Sequence, residues 1–481
     1  MSASVREKAF TQRFYLYLIM TKSAEKLYMS YAVKNSEGAA LMPSYIIRSM
    51  RKMFSHCLKL SYKDTAQQNS YVTIPRATNS FDNTEIVANV DEDIIDSLTG
   101  GRLVGSVTSF ENFAECPLRY YLRYGVDLKE REEFTFSPVN FGVVLHAVIR
   151  EVCDEIKKNG ESYYLISEEK RREMVKRSVA AITDIYQNSI LKDSSRNSFM
   201  IKRMEDLADR TVWAMGEQLK CGDFVPFVFE HKFNMEVGDG DRKQLMSGTI
   251  DRVDICENGT DVYVRIIDYK TGKKDFNIVK TYYGIDIQLM VYMEAAMKLV
   301  AKMRPGKNVI PAGVFYYNIS DPIVSATTES AEEIEDKIKG ELRLKGMVNS
   351  DKDIAEKMDN TGGTSLNIPV SRKADGGFDS RRSKVMNTEQ FNMLGRFVDV
   401  RAVDTADRIA GGDIRRSPYK DGQFSSCDRC PYGAVCGFSV DLPGCNYRKL
   451  KKFDDEVLWN NIKEGVDENG KKMDTGAEER D

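Results

Sequence analysis

The sequence predicts an α/β protein in which a sheet is flanked by helices, and three observations carry that expectation. Two stretches, "SGTIDRVDIC" (247–256) and "VYVRIIDYKTG" (262–272), alternate as strands should. Two others, "FGVVLHAVIREVCDEI" (141–156) and "YYGIDIQLMVYMEAAMKLV" (282–300), repeat their apolar residues at helical spacing. A further run, "PAGVFYYNI" (311–319), reads as another strand. With 42% hydrophobic and 30% charged residues, the 481-residue chain is globular and long enough to bury real cores.

Taken in order, residues 14–31, "FYLYLIMTKSAEKLYMSY", read as an aliphatic and aromatic segment, a short polar helix start and then a strand, all part of a larger core. The polar, increasingly acidic stretch that follows loses periodicity, so residues 61–103 are expected to be a linker or crossover. Order resumes at about Val104. In "SVTSFENFAECPLRYYLRYG", Thr108 and Glu111 have capping-box spacing, and Cys116 precedes a proline that marks a helix end. In the helix of residues 141–156, Leu145, Ile149, Val152 and Ile156 form the apolar stripe, with His146 at its flank. Glu230 ends an apolar strand, "FVPFVFEHKF". Residues 453–481 read as an acidic, disordered tail.

The net charge of −3 excludes a global field for nucleic acid, so any such partner must meet a local basic surface. The start of the chain has no apolar leader pattern, and no stretch has the length of a membrane span. A cytoplasmic protein is expected. Nine cysteines are too dilute for a disulfide scaffold, and clustered ones in a reducing compartment suggest a metal.

The hairpin carries the chemistry. Asp251 shares a strand face with Val253 and Ile255, while Asp268 and Lys270 end the face of Val262, Val264 and Ile266. A carboxylate at the end of an apolar face needs a compensating cation. Two of them together bind a hard divalent ion, Mg²⁺ or Mn²⁺, and a lysine beside that ion can orient water or offset phosphate charge. The plain alternative is a surface Asp–Lys pair; the coupling of "DYK" to "GTIDRVD" favours a site. His146 is either a hydrogen-bonded structural residue or a ligand, and Glu230 either a further carboxylate or an edge charge. Gln288 and Tyr292, one helical turn apart, can bind a phosphate or hold the lysine, or can simply pack.

Near the end of the chain, "CDRCPYGAVC" sets Cys427, Cys430 and Cys436 at ligand spacing, one thiolate short of a four-cysteine centre. Cys445 follows closely and Cys116 stands far upstream, whereas Cys153 lies in a helix, Cys256 ends a strand, and Cys57 and Cys221 have uninformative contexts. Four thiolates suit zinc or a 4Fe–4S cluster, and the spacing leans towards iron–sulfur.

Together "CPLRYYLRYG", "FGVVLH", "GTIDRVD", "DYKTGKK", "QLMVY" and "CDRCPYGAVCGF … YRKL" resemble, in order, the C-terminal nuclease domain of the AddB family. That family lies in the RecB-like branch of the PD-(D/E)XK superfamily, and the resemblance covers roughly residues 100–452. It implies a restriction-endonuclease-like core with a mixed central sheet over residues 104–452. It implies catalytic roles for His146, Asp251, Asp268 and Lys270, with Gln288 and Tyr292 as the motif that follows. It also implies ion binding by His146, Asp251, Asp268 and the carbonyl of Tyr269, and a 4Fe–4S cluster on Cys116, Cys427, Cys430 and Cys436. The expected activity is metal-dependent DNA exonuclease action on single strands or duplex ends, 5′ to 3′. It would act in a complex with an AddA-like helicase in double-strand-break repair.

Residues 1–60 are similar to the last part of a superfamily-1 helicase-like domain, with Thr21–Lys22 where the family has a threonine–arginine pair. No G-x-x-x-x-G-K-S/T loop occurs, so no ATPase is expected. Two other functions fit the same residues: a stand-alone iron–sulfur exonuclease of the CRISPR-adaptation type, and a DNA-binding or scaffolding piece without turnover. DNA contact is expected from Arg119, Arg123 and the tyrosines at 120, 121 and 124, with Arg415 to Lys420 and Tyr447 to Lys452 on the other side.

Overall fold

The two alternating stretches form one antiparallel hairpin, and the remaining strands and helices are laid around it. The structure, a computed structural model, describes residues 5–22, 40–53, 104–129, 138–185, 195–237, 244–325, 330–440 and 445–478, with positions 29, 31, 89–91 and 94. Most of the expected linker and the polar helix start at 23–28 lie outside the described residues. The chain divides into two units, Met1–Asn83 and Thr84–Asp481.

The first unit contains helices α1 (Val5–Thr21) and α2 (Tyr45–Met53). Contrary to the expectation of a core segment, Phe10, Phe14, Tyr15 and Tyr17 on α1 are exposed. Apolar residues circle this helix, so a single contact face could not bury them all.

The second unit begins with β1 (Val104–Ser106), α3 (Val107–Glu115), α4 (Pro138–Lys158), α5 (Glu168–Ile185) and α6 (Ser195–Lys220). It continues through β2 (Val225–Val237), β3 (Gln244–Asn258), β4 (Asp261–Lys270), α7 (Ile278–Tyr282), α8 (Gln288–Met303) and β5 (Asn308–Asn318). Then come α9 (Ala331–Glu341), β6 (Lys345–Asn349), α10 (Lys352–Met358), β7 (Val385–Met386) and α11 (Thr388–Ala410). A small sheet of β8 (Tyr419–Asp421), β9 (Phe424–Ser425) and β10 (Arg448–Lys449) precedes α12 (Asp455–Glu478).

The large sheet runs β1–β3–β4–β5–β6–β7, with β2 also paired to β3. It is mixed, as predicted: β3 is antiparallel to β2 and β4 but parallel to β1, and β4 is parallel to β5. A fork in this sheet positions the site. β1 pairs with Leu245 to Ser247 and β4 with Arg252 to Asn258, so the sheet divides around residues 248–251 of β3.

Each face of the sheet has its own core, which is why β4 and β5 are buried along most of their length instead of alternating in and out. On one side Leu145, Ile149, Val152 and Ile156 of α4 join Ile267, Phe315 and Tyr317 of the sheet in one core, to which α5 adds Val175 and Val179 and α6 adds Ala208 and Val212. On the other, α8 and α11 cover Val253, Ile255, Val262, Val264, Ile266 and Val314. Asp254 is fully buried between Arg252 (Nε to Oδ1, 2.7 Å) and Arg265 (Nε to Oδ2, 2.9 Å), the pairing that buried charge requires.

The expected disordered tail is corrected by α12, whose Leu458 and Ile462 are buried in the second core. Asp455, Glu456, Glu464 and Asp467 are exposed, so composition hid a short apolar stripe that needs only one helix, α11, to cover it.

Candidate active site

Asp251 stands at the fork of the sheet, and the strands on either side bring its partners. Its Oδ2 accepts the Tyr269 backbone N–H at 2.6 Å, which ties β3 to β4 just beyond their last paired residues. From α4, His146 Nδ1 lies 3.4 Å from Asp251 Oδ1 and 3.8 Å from Glu230 Oε1. The imidazole stands edge-on to the Tyr269 ring, centroids 5.9 Å apart. Glu230 sits on β2 between the pairs Phe229–Arg252 and His231–Ile250, and its φ of 48° is in the left-handed region. Such backbone costs about 1–3 kcal/mol for a residue with a side chain, and it persists where it serves a site. One ligand atom each from His146, Glu230 and Asp251 lies within 4.8 Å of the others, an N,O,O set suited to a divalent cation.

Asp268 is buried beside this trio. Its Oδ1 accepts from Gln288 Nε2 at 3.1 Å, and its Oδ2 lies 2.5 Å from Lys270 Nζ. Gln288 also donates to the Tyr292 hydroxyl at 3.0 Å. The structure thus brings together all six side chains that the sequence singled out, adds Glu230 to the histidine and Asp251, and holds Asp268 between Gln288 and Lys270. A cleft of about 480 Å³ opens beside them, lined in part by Gly142, His146, Arg150, Glu230, Lys270 and Thr271.

Electrostatics agree with a site short of positive charge. Burial, reinforced by Asp251 and opposed by Lys270, pushes Asp268 up to about 7. Burial and then Asp251 also raise Glu230. For His146 burial disfavours the cation, but the hydrogen bond and charge of Asp251, with Glu230 and Asp268, outweigh it and raise the imidazole. Carboxylates that repel one another and hold on to protons are relieved by a divalent ion.

Glu111 has a role that its spacing did not reveal. The helix α3 is capped by Ser106, whose Oγ accepts the Ser109 N–H at 3.2 Å, so the expected Thr108–Glu111 box does not form. Glu111 Oε1 instead accepts the N–H groups of Ile287 and Gln288, each at 3.0 Å. No local pattern signals this, because the partner lies across the fold.

The fold and this geometry have counterparts among known proteins. Residues 105–437 match the family model of the PD-(D/E)XK nuclease superfamily. The chain belongs to that superfamily. Proteins named as the B subunit of an ATP-dependent helicase/deoxyribonuclease are similar to it over nearly its whole length. The one from Caldanaerobacter subterraneus subsp. tengcongensis is 31% identical, over 99% of this chain and 46% of that protein. Those from Lachnoclostridium phytofermentans and Clostridium acetobutylicum are each 30% identical, over 100% and 98% of this chain and 45% of each relative. The chain therefore spans less than half the length of the curated relatives it matches.

In this PD-(D/E)XK chain the cysteines form a second constellation. Cys116 is extended (φ −167°, ψ 117°) where Pro117 ends α3, and its thiol is buried near the Arg415 carbonyl. Burial raises Cys436, and the neighbouring thiols of Cys116 and Cys430 add to it. Burial likewise raises Cys427, with the thiols of Cys116, Cys430 and Cys436 adding to it. All eight cysteines among the described residues are free of disulfides. Cys445 is also buried.

The basic and aromatic residues near the cysteines divide into two kinds. Tyr120 is buried against Phe113 and Tyr124, with ring centroids 5.6 and 5.2 Å away, so it is core. Arg119 pairs with Glu115, Arg415 is bidentate to Asp413, and Arg448 donates to the carbonyls of Ala114, Glu115 and Ser417. Arg123 lies over the exposed Tyr124 ring, and the exposed Lys420 lies over the half-buried Tyr447, which packs on Phe438. No helix among the described residues is long and apolar enough to cross a membrane.

Proposed function

We propose that this chain is a metal-dependent deoxyribonuclease module, the nuclease-bearing part of the B subunit of a helicase–nuclease. The observation that carries the reading is the trio of His146, Glu230 and Asp251 within 4.8 Å, with Asp268 and Lys270 beside it. Mg²⁺ or Mn²⁺ held by His146, Asp251 and Asp268, with Glu230 and the Tyr269 carbonyl in support, supplies charge neutralisation and a more acidic water. Lys270 offers a cation to the phosphate oxygens, where charge builds as water adds at phosphorus and one P–O ester bond breaks. Gln288 and Tyr292 hold Asp268 in place. Arg123 with Tyr124 and Lys420 with Tyr447 suit a single strand, cations on phosphate and rings on bases.

The test is cleavage of end-labelled single-stranded oligonucleotides by the purified chain, with Mg²⁺ or Mn²⁺ and with chelator. Loss of product from the 5′ end supports the expected polarity. Absence of cleavage with every divalent cation overturns the nuclease reading.

Cys116, Cys427, Cys430 and Cys436 are read as ligands of a 4Fe–4S cluster, which supplies a rigid crosslink between distant segments. Anaerobic preparations are expected to hold about four irons and four sulfides per chain. Stoichiometric zinc would decide against it. The relatives' names, each a B subunit, favour an AddA-like motor partner, and residues 1–60 are read as a helicase-like remnant. ATP hydrolysis by this chain alone is not expected, and DNA-stimulated turnover that stays with the protein through purification would overturn that.

A further inference from the structure

One carboxylate, set against the start of α8, is not used by this chemistry. Glu111 stands in the middle of α3, and its Oε1 accepts both the Ile287 and Gln288 N–H groups at 3.0 Å. These belong to the unsatisfied start of α8, whose N-cap residue, Ile287, has no side chain able to cap. A buried helix start without acceptors is costly, and a carboxylate there also meets the positive end of the helix dipole. Glu111 therefore supplies from another element the cap that the α8 sequence lacks.

The capped residue is the one that matters for the site. Gln288 is the first residue of α8, and its amide bridges Asp268 and Tyr292. A shift of α8's first turn moves that amide. The platform that carries Glu111 is fixed at both ends: Ser106 caps its start, and Arg448 binds the carbonyls of Ala114 and Glu115 at its finish. Next to Glu111, Lys274 pairs with Asp286 at 3.0 Å, and the Tyr316 hydroxyl donates to the same oxygen at 2.7 Å. The loop that leads into α8 is thus held from both sides.

We propose that Glu111 is a positioning residue for phosphodiester hydrolysis, holding the first turn of α8 so that the Gln288 amide stays on Asp268. The proposal rests on the nuclease reading above and assigns a further residue to that site.

The experiment is a double-mutant cycle on single-stranded oligonucleotide cleavage with Glu111→Ala and Gln288→Ala. Glu111→Ala is expected to lower kcat about 10- to 100-fold, the scale of a misplaced group, with KM for DNA and the Mg²⁺ requirement unchanged. In the Gln288→Ala background the same change is expected to add less than about threefold. Glu111→Gln, whose amide oxygen can accept the same two N–H groups, is expected to recover most of the loss. Should Glu111→Ala fail to give a cooperative melt, Glu111→Asp takes its place in the cycle, since it keeps the charge but withdraws it by one methylene. Wild-type kcat in the alanine or aspartate variant overturns the proposal. So do full multiplication with Gln288→Ala and a glutamine variant as damaged as the alanine one. A wild-type chain inactive with every divalent cation overturns the nuclease reading and this proposal with it, so the two failures are told apart.

Discussion

Between Asp251 and Lys270 the chain runs through a single hairpin, whereas between Cys116 and Cys427 it runs through the whole nuclease core. The first constellation is assembled by strand register: once β3 and β4 pair, both aspartates and the lysine must meet at the same end of the sheet. The second needs a closure over about three hundred residues, whose entropic cost grows only logarithmically with length. Local pairing builds the candidate site, and on the proposed cluster reading the long closure would hold the frame around it. Damage to the hairpin should therefore cost turnover and leave the fold, and damage to the cysteines should do the reverse.

The sharpest test of that contrast is Asp268→Ala or Lys270→Ala. Each is expected to lower Mg²⁺-dependent cleavage about a thousandfold or more, with a melting temperature close to wild type. Near-wild-type turnover in either would show the site to be misassigned.

At the other constellation, Cys116→Ser should lose bound iron as completely as Cys430→Ser, while Cys445→Ser keeps it. Loss of the crosslink is expected to cost on the order of 5 kcal/mol of stability by the closure argument. Elemental analysis and denaturant melts of the three variants read this directly. Retention of iron by Cys116→Ser would remove the long closure from the account.

A pH dependence of stability follows from the hairpin end. Asp268 is raised to about 7, while an unfolded aspartate titrates near 4, and Glu111 is likewise pushed up by burial to about 7. Between those values the native chain binds more protons than the unfolded one, so stability falls as pH rises from about 4 to about 7 and then levels. Melts in chelator should show that slope, Asp268→Asn should flatten part of it, and Mg²⁺ should offset it by binding the native state. A slope of opposite sign would refute the burial argument.

The smallest effect is expected in α12, which contributes no residue to either constellation. Leu458→Ala or Ile462→Ala should cost about 2–5 kcal/mol of stability with unchanged kcat, since each empties a buried position. No change in the melt would return this segment to the tail that its composition suggested.

How much was legible depended on whether the signal was local. Period-two alternation placed Asp251, Asp268 and Lys270 on their strand faces, and helical spacing placed His146, Gln288 and Tyr292, because each pattern is complete within one element. Glu230 was visible as either a further carboxylate or an edge charge, with nothing in its strand to choose between them. Its place beside His146 depends on a left-handed φ and on its position opposite Asp251, which no pattern in its own strand announces.

By itself, then, the sequence determined the elements, the buried faces and the hairpin that bears the chemistry. Tertiary structure decided which element would satisfy each polar group left over at an element's end. Glu111 has the spacing of a local cap, yet Ser106 caps that helix, and the carboxylate caps α8 instead. Cys116 shares no motif with the cysteines near the end of the chain, and α12 has an acidic composition but a stripe that a second helix can bury. The physical reason is common to all three. Periodicity is a property of one element, whereas the partner that desolvates a face, caps a helix or joins a ligand set comes from wherever the packed chain brings it.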